Sequence, residues 1–369
     1  MTVLLESLEP LVATLRAEGY TVVGPTVRGE AIVLAELESA ADLPYGRGVD
    51  LAPGGYRLRE REDRAAFGHA AGPQSWKTFL HPPRTPLWTA RRDPDGGFTP
   101  TEPAERPRRH AFLGVRGCDL AAIGVQDRVL GGADGGYARR REGVFVVAVN
   151  CTEPGATCFC ASTGTGPGVP TGTAGGYDLA LTELVDGERV RYLAVPGSPA
   201  GERLVATLPR RPADPGLTRR ARDEVAAAAG RMGRELPAVD LRGLLSGALD
   251  AKRWDDTAAR CLSCGNCTMV CPTCFCTTVE DTTDLTGDVA ERWLRWDSCF
   301  DLDFSYLHGG SVRSSTRSRY RQWLTHKLGT WHDQFGESGC VGCGRCIVWC
   351  PVGIDLTEEI AALAEEAAP

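Results

Sequence analysis

Apolar residues Leu4, Leu5, Leu8, Leu11, Val12 and Leu15 recur at three- and four-residue intervals, which places them on one face of a helix, and Gly19 follows as a natural C-terminal cap. Beyond Gly19 the pattern changes. Short apolar runs bounded by Gly, Asp or Pro predict strands over 20–27, 31–37, 111–115, 144–149, 179–184 and 190–195. A helix over 119–130, with Asp119 placed to cap it, separates the third of these from the fourth, so 111–149 reads as a βαβ unit. Around 198–216 the composition shifts to Pro, Gly and Arg, the mark of a loop and a domain boundary, and helices are expected over 221–236 and 241–254. The Gly-, Pro- and Thr-rich stretch 164–176 lacks both the G-x-x-x-x-G-K-[ST] pattern and the strand-G-x-G-x-x-G-helix context, and reads as a mobile surface loop.

Composition narrows the class. The chain has 369 residues, room for two or three domains, and its 42% hydrophobic and 24% charged content is that of a folded protein. A net charge of −7 argues against nucleic-acid binding, which needs clustered positive charge. No run approaches the ~18 apolar residues of a membrane span, and Met1 to Leu11 carries Glu6 and Glu9 without a basic stretch, so a soluble cytoplasmic protein without a membrane partner is expected. Of 41 basic residues only Lys77, Lys252 and Lys327 are lysines. The 15 cysteines change the picture most. An odd number cannot pair completely, and they are grouped at two- and three-residue spacings, which points to metal.

Two segments carry the strongest signal: Cys261-x2-Cys264-x2-Cys267-x3-Cys271-Pro272 and Cys340-x2-Cys343-x2-Cys346-x3-Cys350-Pro351. Three thiolates two residues apart on a tight loop can each reach a different iron of one cubane, and Gly265 and Gly344 let backbone amides approach its sulfurs. The fourth cysteine of such a run ligates the other cluster in two-cluster ferredoxins. The spacing therefore assigns Cys261, Cys264, Cys267 and Cys350 to one 4Fe-4S cluster, and Cys340, Cys343, Cys346 and Cys271 to a second. A pair of zinc sites is the competing reading, but four cysteines in eleven residues followed by Pro, twice over, favour iron–sulfur.

Cys118 at a strand-to-helix junction, Cys151 after another strand, and Cys158-Phe-Cys160 form a candidate third cluster site, provided the sheet is parallel and brings them to one edge. The competing reading is that some are buried small hydrophobes. Cys274, Cys276 and Cys299 lie in the long insertion 272–339, together with a basic aromatic stretch over 313–331 that reads either as a helix packed on the clusters or as arginines that offset cluster charge or dock an acidic partner. The expected class is α+β: an N-terminal α/β domain (1–215), a helical connection (216–260), a bacterial-ferredoxin-like two-cluster domain (261–356) and a C-terminal helix (357–369).

Ser75-Trp-Lys77-Thr-Phe-Leu80, Gly114-Val-Arg116-Gly-Cys118-Asp119-Leu120, Asn150-Cys151-Thr-Glu-Pro-Gly155 and Arg295-Trp-Asp-Ser-Cys299 resemble segments of the beta subunit of cytoplasmic NiFe hydrogenases of the sulfhydrogenase type. The electron-input component of anaerobic sulfite reductase is similar over the same stretches. Members of the family commonly have Pro where this chain has Gly117. The resemblance implies an electron-transfer subunit without catalytic residues of its own, working beside a flavin-bearing NAD(P)H-linked subunit and a catalytic NiFe or sirohaem subunit. The alternative of another class is an iron–sulfur redox sensor, against which the lack of an output domain or a DNA-reading helix weighs.

Overall fold

The apolar N-terminal segment divides into two elements where the periodicity predicts one helix. In the computed structural model, which describes residues 2–102, 108–170 and 176–367, Val3–Leu5 is a strand (β1) and the helix α1 covers Glu9–Ala17. Leu4 and Leu5 bury on opposite sides, as a strand requires, and Pro10 in the first helical turn starts the helix later than spacing alone suggests. Gly19, at φ +83°, ends it as expected.

The chain continues through β2 (Thr21–Arg28), β3 (Ala31–Glu36), the hairpin β4 (Arg47–Ala52) and β5 (Gly55–Glu60), and a helical turn α2 (Lys77–Leu80). Then come β6 (Arg84–Arg92), β7 (Phe98–Thr101), β8 (His110–Val115), α3 (Gly117–Leu130), α4 (Gly135–Glu142), β9 (Phe145–Val149), β10 (Leu179–Asp186) and β11 (Arg189–Pro196). The main sheet closes with α5 (Pro199–Thr207) and β12 (Arg211–Pro212), in the order β12-β1-β11-β10-β9-β8-β2-β3. Its centre, β10-β9-β8-β2, is parallel. Phe112 and Val115 face one core while Ala111 and Leu113 face the other, so both sheet faces are buried, which is why these strands read as unbroken apolar runs. The expected loop over 198–216 contains α5, because Ser198 caps the amide of Gly201 and Pro199 occupies the first turn; Ser-Pro begins a helix here.

Helices α6 (Pro215–Ala229), α7 (Leu241–Gly247) and α8 (Arg253–Arg260) lead to the cysteine runs. The single helix expected over 241–254 is split, and the Trp254 indole N–H reaches back to the Ala248 carbonyl at 2.6 Å across the break. Each run carries one helical turn, α9 (Asn266–Met269) and α12 (Arg345–Val348), and the described chain ends in α13 (Leu356–Glu366). The buried Glu359 of α13 takes Arg253, Arg260 and Thr257 of α8, clamping the two helices together.

The insertion between the runs is partly sheet. Its strands β13 (Thr277–Thr283) and β14 (Val289–Trp296) pair with β6 and β7 of the N-terminal half in the order β13-β14-β6-β7, so the two halves share a sheet. A hairpin of β15 (Tyr306–Leu307) and β16 (Gly310–Ser311) follows. Next come α10 (Thr316–Thr325), a π turn over His326–Thr330 and α11 (Trp331–Phe335). The expected mobile loop 164–176 lies outside the described residues over 171–175; its first part packs on α3, where a Cβ on Gly117 would stand 2.6 Å from the Gly168 carbonyl. That closeness is a reason for Gly at 117.

Candidate metal centres

The first run leaves α8 at Cys261 and turns through Ser263, at φ +53°, and Gly265, at φ +73°. This left-handed turn folds the chain around an open cavity lined by Cys261, Cys264, Cys267 and Cys350, with Phe300, Tyr320 and Trp323 behind them and Cys346 at one wall. Backbone amides already point at two of the thiols: Ser263 N–H donates to Cys261 Sγ at 3.4 Å, and Ile354 N–H to Cys350 Sγ at 3.3 Å. Cys264 is exposed. The cysteine that closes this group comes from the other run.

The second run repeats the turn, with Gly344 again at φ +73°, but deep in the protein. Cys346 has Cys340, Cys343 and Cys271 as its strongest charged neighbours, and Cys267 of the first group lies just beyond. Cys271 thus sits with the second run as Cys350 sits with the first. Burial pushes the Cys340 thiol up to about 12 and Cys343 to about 11, and holds Cys267 and Cys346 well above the usual range, so metal loading must displace protons from these groups. Cys271 differs: hydrogen bonds from Cys274 and from Lys327 draw its thiol well below the usual value, with the Lys327 ammonium 3.0 Å from Cys271 Sγ.

The third candidate group forms at the carboxyl ends of parallel strands. Cys118 opens α3 after β8, and Cys151 follows β9. Cys158 and Cys160 come from the next loop, with Cys118 and Cys160 in hydrogen-bonding contact and Cys158 beside both Cys118 and Cys151. All four cysteines named for this site therefore lie together. Small residues crowd them: a Cβ on Gly166 would stand 2.7 Å from Cys160 Sγ and one on Gly155 3.6 Å from Cys158 Sγ. Asp119, expected as the N-cap of α3, lies two residues inside the helix; it accepts the Arg116 amide at 3.3 Å and turns its other oxygen to Arg345.

The second and third groups share a wall. Phe159 N–H donates to the Gly342 carbonyl at 2.8 Å and Thr165 Oγ1 to the Val341 carbonyl at 2.8 Å, while Cys158 Sγ lies 4.0 Å from the Cys343 carbonyl. A Cβ on Gly342 would meet the Cys160 backbone at 2.6 Å, so only glycine allows the approach. Arg345, buried, joins Asp119 at 2.9 Å and the Gly72 carbonyl at 3.1 Å, between Cys118 and Cys343. Arg116 stands beside Cys151 and donates to the Phe67 and His69 carbonyls. Buried guanidiniums beside thiolate groups offset the negative charge that metal–thiolate clusters bring into a low-dielectric interior. These cations were not picked out as site residues from the sequence; the available signal was the arginine inside the second run, Cys343-Gly-Arg345-Cys346, and the two motifs that contain Lys77 and Arg116.

Among the described residues no three His, Cys, Asp or Glu side chains converge closely enough to hold a single ion. The cysteines are instead arranged in wider sets, and the first encloses a cavity at its centre, which suits a group that offers a separate iron to each thiolate better than it suits zinc. The basic aromatic stretch 313–331 divides its labour: Tyr320 and Trp323 of α10 back the first cavity, while Lys327 supplies charge to Cys271.

Residues 260–354 match the model of the 4Fe-4S dicluster domain. The sulfhydrogenase 2 subunit beta of Pyrococcus furiosus is 34% identical over 254 residues, a span that covers 67% of this chain and 72% of the relative. No solved structure matches. Among the described residues no helix is long and apolar enough to cross a membrane. With a two-cluster ferredoxin-like region set on an N-terminal α/β domain and a third of the aligned residues identical over most of both chains, this protein belongs to the family of the sulfhydrogenase beta subunit.

Proposed function

We propose that the chain relays single electrons through three 4Fe-4S clusters, as the iron–sulfur subunit of a NAD(P)-linked NiFe hydrogenase complex. The observation that carries this reading is the continuity of the three cysteine groups: Cys267 of the first lies beside Cys346 of the second, and Cys343 of the second beside Cys118 of the third. Cys261, Cys264, Cys267 and Cys350 would hold the first cluster, Cys340, Cys343, Cys346 and Cys271 the second, and Cys118, Cys151, Cys158 and Cys160 the third. The clusters supply one-electron redox chemistry when bound, at potentials tuned by charge, hydrogen bonds to sulfur and exposure. The protein's part is to hold them in series, to screen the inner two from water, and to offset their charge with Arg116, Arg345 and Lys327. Electrons would enter or leave at the first cluster, where Cys264 reaches the surface.

A flavin-bearing NAD(P)H-linked subunit and a catalytic NiFe subunit are the partners this reading requires; the name of the Pyrococcus relative favours hydrogenase over the sulfite-reductase alternative. Anaerobic purification with iron, sulfide and zinc analysis and EPR of the reduced protein tests it. Cubane stoichiometry gives about twelve irons for the three relay clusters, of which about eight belong to the two ferredoxin-type sets. Serine variants should then separate them: Cys261→Ser and Cys350→Ser disturb one EPR signal, Cys340→Ser and Cys271→Ser another, and Cys118→Ser a third. Zinc without sulfide would end the relay account, and Cys271→Ser acting on the same signal as Cys261→Ser would undo the crossed ligand sets.

A further inference from the structure

Three cysteines remain outside these sets, and the fold gathers them. Cys274 and Cys276 lead into β13 and Cys299 follows β14; the Asp297 amide holds the Cys276 carbonyl at 2.8 Å, closing the segment that carries Cys299 onto the segment that carries Cys276. Cys276 is the strongest charged neighbour of Cys299, and Cys274 contacts Cys271 of the second group. Two sequence motifs with no role in the relay meet here as well: Ser75-Trp-Lys77 and Arg295-Trp-Asp-Ser-Cys299.

The charges around these thiols need an explanation. This chain has only three lysines among its 41 basic residues. Two of them, Lys77 and Lys327, are buried at this place, at 4% and 6% exposure. Lys77 Nζ donates to the Cys274 carbonyl at 3.1 Å and stands 3.6 Å over the Trp296 ring. Lys327 Nζ donates to Cys271 Sγ and Thr273 Oγ1, both at 3.0 Å. A buried ammonium is costly without a counter-charge. Arg345, also buried, has Asp119. The strongest anionic neighbours of the two lysines are cysteines and no carboxylate: Cys274, Cys271 and Cys276 for Lys77, and Cys271, Cys274 and Cys340 for Lys327. Cys271 and Cys340 of the second group already face Lys327, whereas Lys77 faces Cys274 and Cys276 as well as Cys271; metal-bound thiolates at Cys274 and Cys276 would supply there the counter-charge that no carboxylate does.

We propose that Cys274, Cys276 and Cys299, with Lys77 and Lys327 as buried counter-cations, ligate a further iron–sulfur cluster beside the first and second. The spacing of the thiols is too wide for one ion, as at the other sites. Three protein thiolates leave one iron open to an exogenous ligand, which sets this cluster apart from fully cysteine-ligated ones. The inference rests on the reading that the chain carries iron–sulfur clusters.

The test compares Cys276→Ser and Cys299→Ser with Cys261→Ser, Cys340→Ser and Cys118→Ser in anaerobically purified full-length protein, by iron and sulfide content and by EPR redox titration. Both variants are expected to lose the same increment of iron and sulfide and the same signal, while the signals lost in the other three variants persist. Lys77→Met should move the midpoint of that signal more than that of any other, with a smaller shift at the second cluster through Cys271. Full iron and sulfide retention in Cys276→Ser and Cys299→Ser overturns the proposal, as does loss of only those signals that Cys261→Ser, Cys340→Ser or Cys118→Ser also remove. Should either variant not fold, the wild type decides: iron fully accounted for by the summed losses of the other three variants overturns the proposal, and an unexplained remainder supports it. If Cys261→Ser and Cys340→Ser themselves cost no iron, it is the relay reading that fails.

Discussion

The two cysteine runs have the same spacing, the same glycine at φ +73° and the same proline after the fourth cysteine, yet they sit in opposite environments. The first surrounds an open cavity whose rim is Leu262, 64% exposed, and Val352, 38% exposed, with aromatic rings behind. The second is sealed between the α/β domain and the insertion, with Lys327 on Cys271 and Arg345 beside Cys343. A local motif therefore sets which residues can bind a cluster. What packs on the motif sets access and charge, and through them the potential. The geometry expects the inner cluster to be the easier one to reduce, because the positive charge of Lys327 and Arg345 stabilises the reduced, more negative state.

The largest expected effect on this contrast comes from removing the metal. Stripping iron and sulfide with a chelator should unfold the second run's surroundings as well as the first's, since binding to structural thiolate sites is folding free energy on the order of 10 kcal/mol. Cys340→Ser should lower the thermal midpoint of the holoprotein more than Cys264→Ser, and equal midpoints would show that the buried run is no more structural than the exposed one.

Breaking the buried pair comes next. Arg345→Met leaves Asp119 unpaired between the second and third groups, at a cost of about 3–5 kcal/mol in denaturant unfolding. The double variant with Asp119→Asn should recover part of that loss. No recovery would mean the arginine acts through its contact to Gly72 or through the clusters instead.

The equivalent glycines give a paired test. A Cβ on Gly344 would stand 2.3 Å from the Thr157 carbonyl, whereas one on Gly265 would meet the Ser298 hydroxyl at 3.2 Å. Gly265→Ala should cost little more than the left-handed backbone strain of about 1–2 kcal/mol, while Gly344→Ala should cost clearly more and lower iron loading as well. Unfolding curves of the two variants that coincide would contradict the tight interface.

The smallest effect is electronic. Lys327→Met removes a charged donor from Cys271 Sγ, and EPR redox titration should find the second cluster's midpoint lowered by about 60 mV, the equivalent of a tenfold change in a one-electron couple, with the first cluster's unchanged. A shift shared equally by both would remove the distinction between the two environments.

Much of the molecule was readable before its fold was known. The strands over 20–27, 31–37, 111–115, 144–149, 179–184 and 190–195 agree with β2, β3, β8, β9, β10 and β11 to within two residues at each end, because each carries a short apolar run bounded by Gly, Asp or Pro. The errors fell where local periodicity is ambiguous. Leu4 and Leu5 fit a helical face yet pair with β11, and Ser198-Pro199 opens a helix inside a stretch whose composition suggests a loop.

The sequence by itself determined the two cysteine runs and the left-handed glycines that shape them, since covalent spacing and backbone sterics act within a dozen residues. It also supplied the βαβ unit that carries Cys118 and Cys151 to one edge. Only the tertiary structure decided that Cys158 and Cys160 press against the second run, that β14 joins β6, and that Lys77 meets Cys274 from 197 residues away. Such contacts depend on which apolar faces bury each other across the whole chain, and no local period records that choice. The same burial strips water from Lys77 and Lys327 and sets them among thiols with no carboxylate as a strong neighbour.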